Sequence, residues 1–205
     1  MDDLDFAALL VSRVCHDLVS PVGAVVNGLE ILADERDPAM RADALKLVTS
    51  SADQAAARLQ FARIAYGAAG SAGATLDLTE LGRVVGGLLS GGKIAIDWNA
   101  AQTGWPKDWA KLLMNAVVIA AESLPRGGQI RVETSPDGSA PGFRIRATGQ
   151  GARVLDEIQR ALRGESLGPV DGRSIQPFLT HKLAQSLNAA LTLAFHEGEV
   201  ELAAA

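Results

Sequence analysis

Residues 13–21 read RVCHDLVSP: Arg13, Val14, Cys15, His16, Asp17, Leu18, Val19, Ser20 and Pro21. The chain has only three histidines. This one stands beside an aspartate and five residues before a proline, within a segment of helical spacing. Val11, Val14, Leu18, Val22, Val25, Leu29 and Leu32 recur at steps of three and four, which predicts a helix over 4–34 with one buried seam. The one irregularity, two successive steps of four, falls around Pro21. A proline there has no N–H for the carbonyl of Asp17, so a local bend is expected. At about 100° per residue His16 lies roughly opposite the seam, and its imidazole is expected to face outward.

Ser20, Gly23, Ala24 and Asn27 fall on nearly the same face as His16, over the next two turns. They make a low-relief strip against which another protein can lie. Gly23 and Gly28 each cost roughly 0.5–1 kcal/mol relative to alanine within a helix, and close approach of a partner is one reason to bear that cost. Arg13 and Asp17 flank the ring at i−3 and i+1, placed to steady a phosphoryl oxygen or to orient the imidazole. Taken singly, each also reads as a solvated charge on a polar face.

The turn DERDP (34–38) offers Asp37 as an N-cap and Pro38 at the first helical position. From Ala39 to about Gly67 a second helix carries Leu45, Val48, Ala52, Ala55, Leu59, Ala62 and Tyr66 in three–four alternation. Two antiparallel helices joined by a short turn form a hairpin. Each helix then has a second face to bury, and a second copy of the chain is the simplest source. A twofold dimer with a four-helix bundle is the expectation. GAAGSAGAT (67–75) reads as a flexible joint, giving two domains, 1–70 and 76–205. Beyond the joint the pattern is mixed. Helices are expected at about 77–90, 106–123, 152–163 and 174–188. Strands are expected at KIAIDW, QIRVETS and FRIRAT, with a closing hairpin over 190–204. The fold class is α+β, with helices on one face of a mostly antiparallel sheet.

Composition narrows the function classes. Hydrophobic residues make up 48% and charged residues 21%, which is ordinary for a globular chain and unlike a disordered one. Net charge is −5, with no stripe of Lys and Arg, so no nucleic-acid partner is expected. The single cysteine, Cys15, excludes an internal disulfide and suits a reducing compartment. The start MDDLDF is acidic, unlike a secretory leader. Unbroken apolar runs such as AVVIAA fall short of the roughly 20 residues that cross a bilayer. A cytoplasmic protein with no membrane partner is expected. His181, His196, Trp98, Trp105 and Trp109 read as structural, and Cys15 as a small interfacial side chain.

His16-Asp17-Leu18 with Ser20-Pro21 resembles the phospho-acceptor box of sensor histidine kinases, H-[ED]-L-x-[TS]-P, which lies on the first helix of a dimeric hairpin. The second region resembles the ATP-binding domain of the same kinases, with losses. LLMNAVVIAAESLPRGGQI keeps Asn115 at the magnesium-binding asparagine and the Pro125-Arg126-Gly127-Gly128 turn. Val118 and Ile119 replace the basic and aromatic positions. RATGQGAR keeps Gly149 and Gly151 but has Ala147 for the adenine-reading aspartate, whose charged hydrogen bond is worth roughly 1.5–3 kcal/mol. GRSIQPFLTHKL replaces the glycine-rich phosphate lid. Pro177 there offers no N–H, and Ile175 and Phe178 are bulky. A kinase-like hairpin with a degenerate nucleotide domain is similar to the ChpT-type histidine phosphotransferases of alphaproteobacterial phosphorelays, over nearly the whole chain.

That resemblance implies a cytoplasmic homodimer with His16 as phosphoryl carrier, supported by Arg13 and Asp17. Ser20, Gly23, Ala24 and Asn27 would then lie in the docking strip. The partners implied are the receiver domain of a hybrid histidine kinase and response regulators of the cell cycle. No cofactor or metal is expected on this chain, since Mg²⁺ would come with the receiver. Two other readings stay open: a pseudo-enzyme adaptor that only dimerises, and a divergent ATP-dependent histidine kinase.

Overall fold

The computed structural model describes residues 2–67, 74–101, 103–165 and 174–205. Two long helices come first, α1 (Asp3–Asp34) and α2 (Pro38–Ala65). An α+β body follows: β1 (Thr75–Asp77), α3 (Leu78–Leu89), β2 (Ile94–Asn99), β3 (Gly104–Pro106) and α4 (Lys107–Glu122). Then come β4 (Gly128–Thr134), β5 (Phe143–Thr148), α5 (Asp156–Leu162), α6 (Ile175–Leu187), β6 (Thr192–His196) and β7 (Glu199–Ala204). Each expected element is present with shifted ends. The two-stranded pair of β1 and β3 was not expected, because three residues are too few for alternation to show. Most of the expected joint at 67–75 lies outside the described residues.

The hairpin starts and turns on side-chain caps. The Asp2 carboxylate accepts from the amide of Asp5, and the Asp37 carboxylate from that of Ala39 with Pro38 at the first position of α2. Arg41 donates to the carbonyls of Leu32 (2.6 Å) and Glu35 (2.9 Å), closing the end of α1. Although Pro21 sits within it, α1 is continuous.

The structure corrects the phase of both seams. On α1 the face turned to α2 is Val14, Leu18, Pro21, Val25, Gly28 and Leu32, while Val11, Val22 and Leu29 stay about half or more exposed. On α2 the inner face is Ala44, Val48, Ser51, Ala55, Arg58 and Ala62, while Leu45 and Leu59 are exposed. Each helix thus carries two neighbouring apolar stripes, and a single seam drawn through the largest residues averages them. Gly28 has its reason within the hairpin: a Cβ there would lie 2.6 Å from Val48 Cγ2. Gly23 does not, since a Cβ there would meet nothing within 4 Å.

α1 also qualifies the expectation drawn from unbroken apolar runs. An 18-residue window of it is apolar enough to pass for a membrane span by length and composition. The same composition arises in a helix that carries two apolar stripes.

The body is a helical layer on a five-stranded sheet of order β2-β4-β5-β7-β6, parallel between β2 and β4 and antiparallel elsewhere. Alternation aims one side of each strand at the helices. The ladder aligns Val132 with Ile145 and Leu202, and Ile130 with Ala147 and Val200, all of them buried. The opposite side is charged, where Arg146 meets Glu133 and Glu201, and Arg131 meets Asp97. α4 is buried almost all round, from Ala110 through Ala120 except Lys111. Phe61, Ile64 and Ala65 at the end of α2 belong to the same apolar core as Leu78, Val85, Leu113 and Val117. The hairpin is therefore rooted in the body by its second helix.

Candidate functional site

His16 lies midway along α1, on the side away from α2, with 62% of its side chain exposed. Its Nδ1 is 3.3 Å from Oδ1 of Asp17. A carboxylate can only accept, so this contact calls for the tautomer protonated on Nδ1. The lone pair then sits on Nε2, the nitrogen available to an incoming electrophile.

Asp17 is itself held. Its Oδ2 accepts from Arg13 Nε at 3.0 Å, one turn back on α1. Arg13 also donates to Oε1 of Glu122, at the last position of α4, at 2.9 Å. The Arg13 side chain is only 13% exposed. Burial opposes its charge, but Glu122 and Asp17 outweigh that and raise its pKa above the ordinary arginine value. Nε and one terminal nitrogen of Arg13 are thus committed to carboxylates. A further guanidinium arrives from α2: Arg58 donates to the backbone carbonyl of Asp17 at 2.6 Å. A cleft between hairpin and body is lined by the polar Arg13, Asp17, Arg58 and Glu122 together with the apolar Phe61, Leu88, Leu89 and Val118.

Of the strip expected beside the ring, Ser20 and Asn27 are exposed, and Gly23 and Ala24 are partly so. Beyond Gly23, Cβ-sized space is open. Cys15 is exposed as a free thiol.

Asn115 is buried and hydrogen-bonded at both ends of its amide. Its Nδ2 donates to the carbonyls of Lys111 (2.8 Å) and Ala65 (3.3 Å), and its Oδ1 accepts from Gln176 Nε2 at 2.8 Å. Gln176 in turn accepts from the hydroxyl of Tyr66 at 2.5 Å. Burial pushes the Tyr66 hydroxyl up to about 12. A chain of buried amides thus joins the end of α2 to α4 and to the start of α6. Ile175 and Pro177 are buried beside Gln176, and Ala147 is buried next to the end of β5.

The remaining residues serve packing. His181 Nδ1 pairs with the Leu162 carbonyl at 2.9 Å, Trp98 donates to the Leu78 carbonyl at 2.9 Å, and Trp105 meets Trp109 edge to face. Among the described residues, no three His, Cys, Asp or Glu side chains group as metal ligands. Sequence reasoning missed Arg58, Glu122, Tyr66 and Gln176. Only Arg58 had a signal, because the carbonyl orphaned by Pro21 needs a donor from elsewhere.

Comparison with known proteins agrees with this architecture. Residues 78–199 match the family model described as the histidine phosphotransferase C-terminal domain. A protein phosphotransferase ChpT of Brucella abortus (strain 2308) is 40% identical over 195 residues, covering 93% of this chain and 90% of that one. A solved bacterial phosphotransferase superposes with a TM-score of 0.91 at 35% identity, covering 100% of this chain and 98% of that one. Full-length ShkA, solved in complex with AMPPNP, shares the fold at 18% identity with a TM-score of 0.50, covering 100% of this chain and 45% of that one. The chain belongs to the histidine phosphotransferase family. Its class of activity is phosphotransfer.

Proposed function

We propose that this chain relays a phosphoryl group between receiver domains of a phosphorelay through His16, without ATP. The observation that carries the reading is an exposed imidazole whose Nδ1 faces a carboxylate, which leaves the lone pair on Nε2 for an incoming electrophile. Phosphoryl transfer needs in-line placement and charge neutralisation more than covalent help from the protein. The donor is an aspartyl phosphate on the receiver of a hybrid histidine kinase. The Nε2 lone pair forms the new bond to phosphorus while the bond from phosphorus to the acyl oxygen breaks, and the aspartate leaves as a carboxylate. The positive charge that develops on the ring is shared with Asp17 through Nδ1–H, and Arg13 keeps Asp17 in place. The reverse sequence delivers the group to the aspartate of a response regulator. Mg²⁺ belongs to the receiver's own carboxylates in this scheme.

The fit of a nucleotide supports the ATP-free route. The oxygen that a magnesium-binding asparagine would offer is buried and accepts from Gln176, Ala147 has no carboxylate, and Pro177 has no N–H. The residues present do not suit Mg-ATP. Residues 1–70 then supply dimerisation and the acceptor, and residues 76–205 a second surface for receivers. The exposed stripe of Val11, Val22, Val26, Leu29, Leu45 and Leu59 is the face that a second copy would cover, giving two sites per dimer in the cytoplasm.

The test is His16→Gln. The variant should fold as the parent does, since an exposed substitution usually costs within about 0.5 kcal/mol. It should take no label from a phosphorylated receiver. Labelling equal to wild type would mean that His16 is not the carrier.

A further inference from the structure

Pro21 leaves the carbonyl of Asp17 without its intrahelical donor, because the nitrogen four residues on carries no hydrogen. α1 is nevertheless continuous. The missing bond is replaced from the other helix, by Arg58 at 2.6 Å. Arg58 occupies a slot on the inner face of α2, in line with Val48, Ser51, Ala55 and Ala62. An apolar side chain would fill that slot at no electrostatic cost, whereas a guanidinium there needs a partner. The partner it has is the backbone of the residue that faces His16.

Asp17 is consequently fixed at both ends. Arg58 holds its carbonyl, Arg13 holds one carboxylate oxygen, and the other oxygen meets His16 Nδ1. We infer that Arg58 is a positioning residue for phosphotransfer: it stands in for the amide that Pro21 lacks and thereby fixes the Asp17 carboxylate against the His16 ring. This rests on His16 as the phosphoryl carrier. Its consequence is a coupling, since Arg58 matters to the rate only while residue 21 has no N–H.

The experiment compares full-length wild type, Arg58→Met, Arg58→Lys, Pro21→Ala and the Pro21→Ala/Arg58→Met pair. Two readouts are taken: the ¹³C shift of the Asp17 carbonyl, and the rate of label transfer from a phosphorylated receiver. Arg58→Met should move the carbonyl shift and slow transfer by about 10-fold, short of the roughly 100-fold that a 1 Å misplacement can cost. Arg58→Lys keeps a donor and should retain most of the rate. Pro21→Ala restores the amide, so adding Arg58→Met to it should cost less than about 3-fold under the same reasoning. An equal cost in both backgrounds, or an Asp17 carbonyl shift unmoved by Arg58→Met, overturns the inference. If Arg58→Met does not fold, Arg58→Gln enters the same cycle in its place. A labelled wild type with an unslowed Arg58 variant defeats only this inference. A wild type that takes no label defeats the phosphotransfer reading and this inference with it.

Discussion

At position 17 one aspartate makes three commitments: a carboxylate oxygen to Arg13, the other to His16, and its carbonyl to Arg58. The contact with His16 was legible from adjacency on one helix, while Arg13 was read against the ring and pairs with Asp17 instead. The third needed α2 in place, although Pro21 announced the vacancy. Tyr66 shows the opposite case, a residue read from its spacing as seam that turns out to be the polar end of a buried amide chain. Its pKa is raised from 10.0 to about 12, with burial as the largest cause. A raised folded-state value favours the protonated form in the native protein. The associated stability is therefore complete below about pH 10 and is lost as pH climbs toward 12. Tyr66 is the only tyrosine, so tyrosinate absorbance reports it alone. Native protein should ionise near 12 and urea-unfolded protein near the ordinary value of about 10. Identical titrations would mean that the hydroxyl is not buried.

Among the elements, α1 and α2 were located from spacing to within a few residues, but the faces they turn inward were not. The reason is visible in Leu45 and Leu59. They are the largest apolar residues of the seam drawn on α2 before Tyr66, yet the contact with α1 runs through Ala44, Ser51 and Arg58. Small residues let the helices close, and periodicity weighted by apolar size passes over them. The two mid-helix glycines separate on the same ground. Gly28→Ala should destabilise the fold by about 1–3 kcal/mol, because its Cβ would meet Val48 Cγ2 at 2.6 Å and outweigh the helical preference of alanine. Gly23→Ala should stabilise by about 0.5–1 kcal/mol, since its Cβ meets nothing. Urea unfolding of the two variants decides this, and equal shifts of the same sign would refute the packing assigned to α1 and α2.

For the whole molecule, the α+β class and the helix-on-sheet layering followed from the order of helices and alternating strands. The rooting of α2 in the body core did not follow, because Phe61, Ile64 and Ala65 read simply as more hairpin. Nor did the use of Asn115, which aligns with the kinases' magnesium-binding asparagine and whose amide ties the body to the hairpin. The exposed second stripe carries a prediction at this scale. Val22→Asp with Leu29→Glu places charge on the face proposed to meet a second copy and should convert a dimer into monomers that keep their helicity. Sedimentation measures it, and a wild type that sediments as a monomer at micromolar concentration would contradict the bundle.

The account's central claim is nucleotide-free passage of phosphate through one imidazole, and a two-receiver chase tests it most directly. A labelled, phosphorylated hybrid-kinase receiver is mixed with the chain in Mg²⁺ without nucleotide, and an unlabelled response regulator is then added. The account predicts acid-labile label on the His16 peptide first, then its loss as label appears on the regulator. Label that reaches the regulator without ever residing on His16, or that enters the chain only when ATP is present, would contradict it.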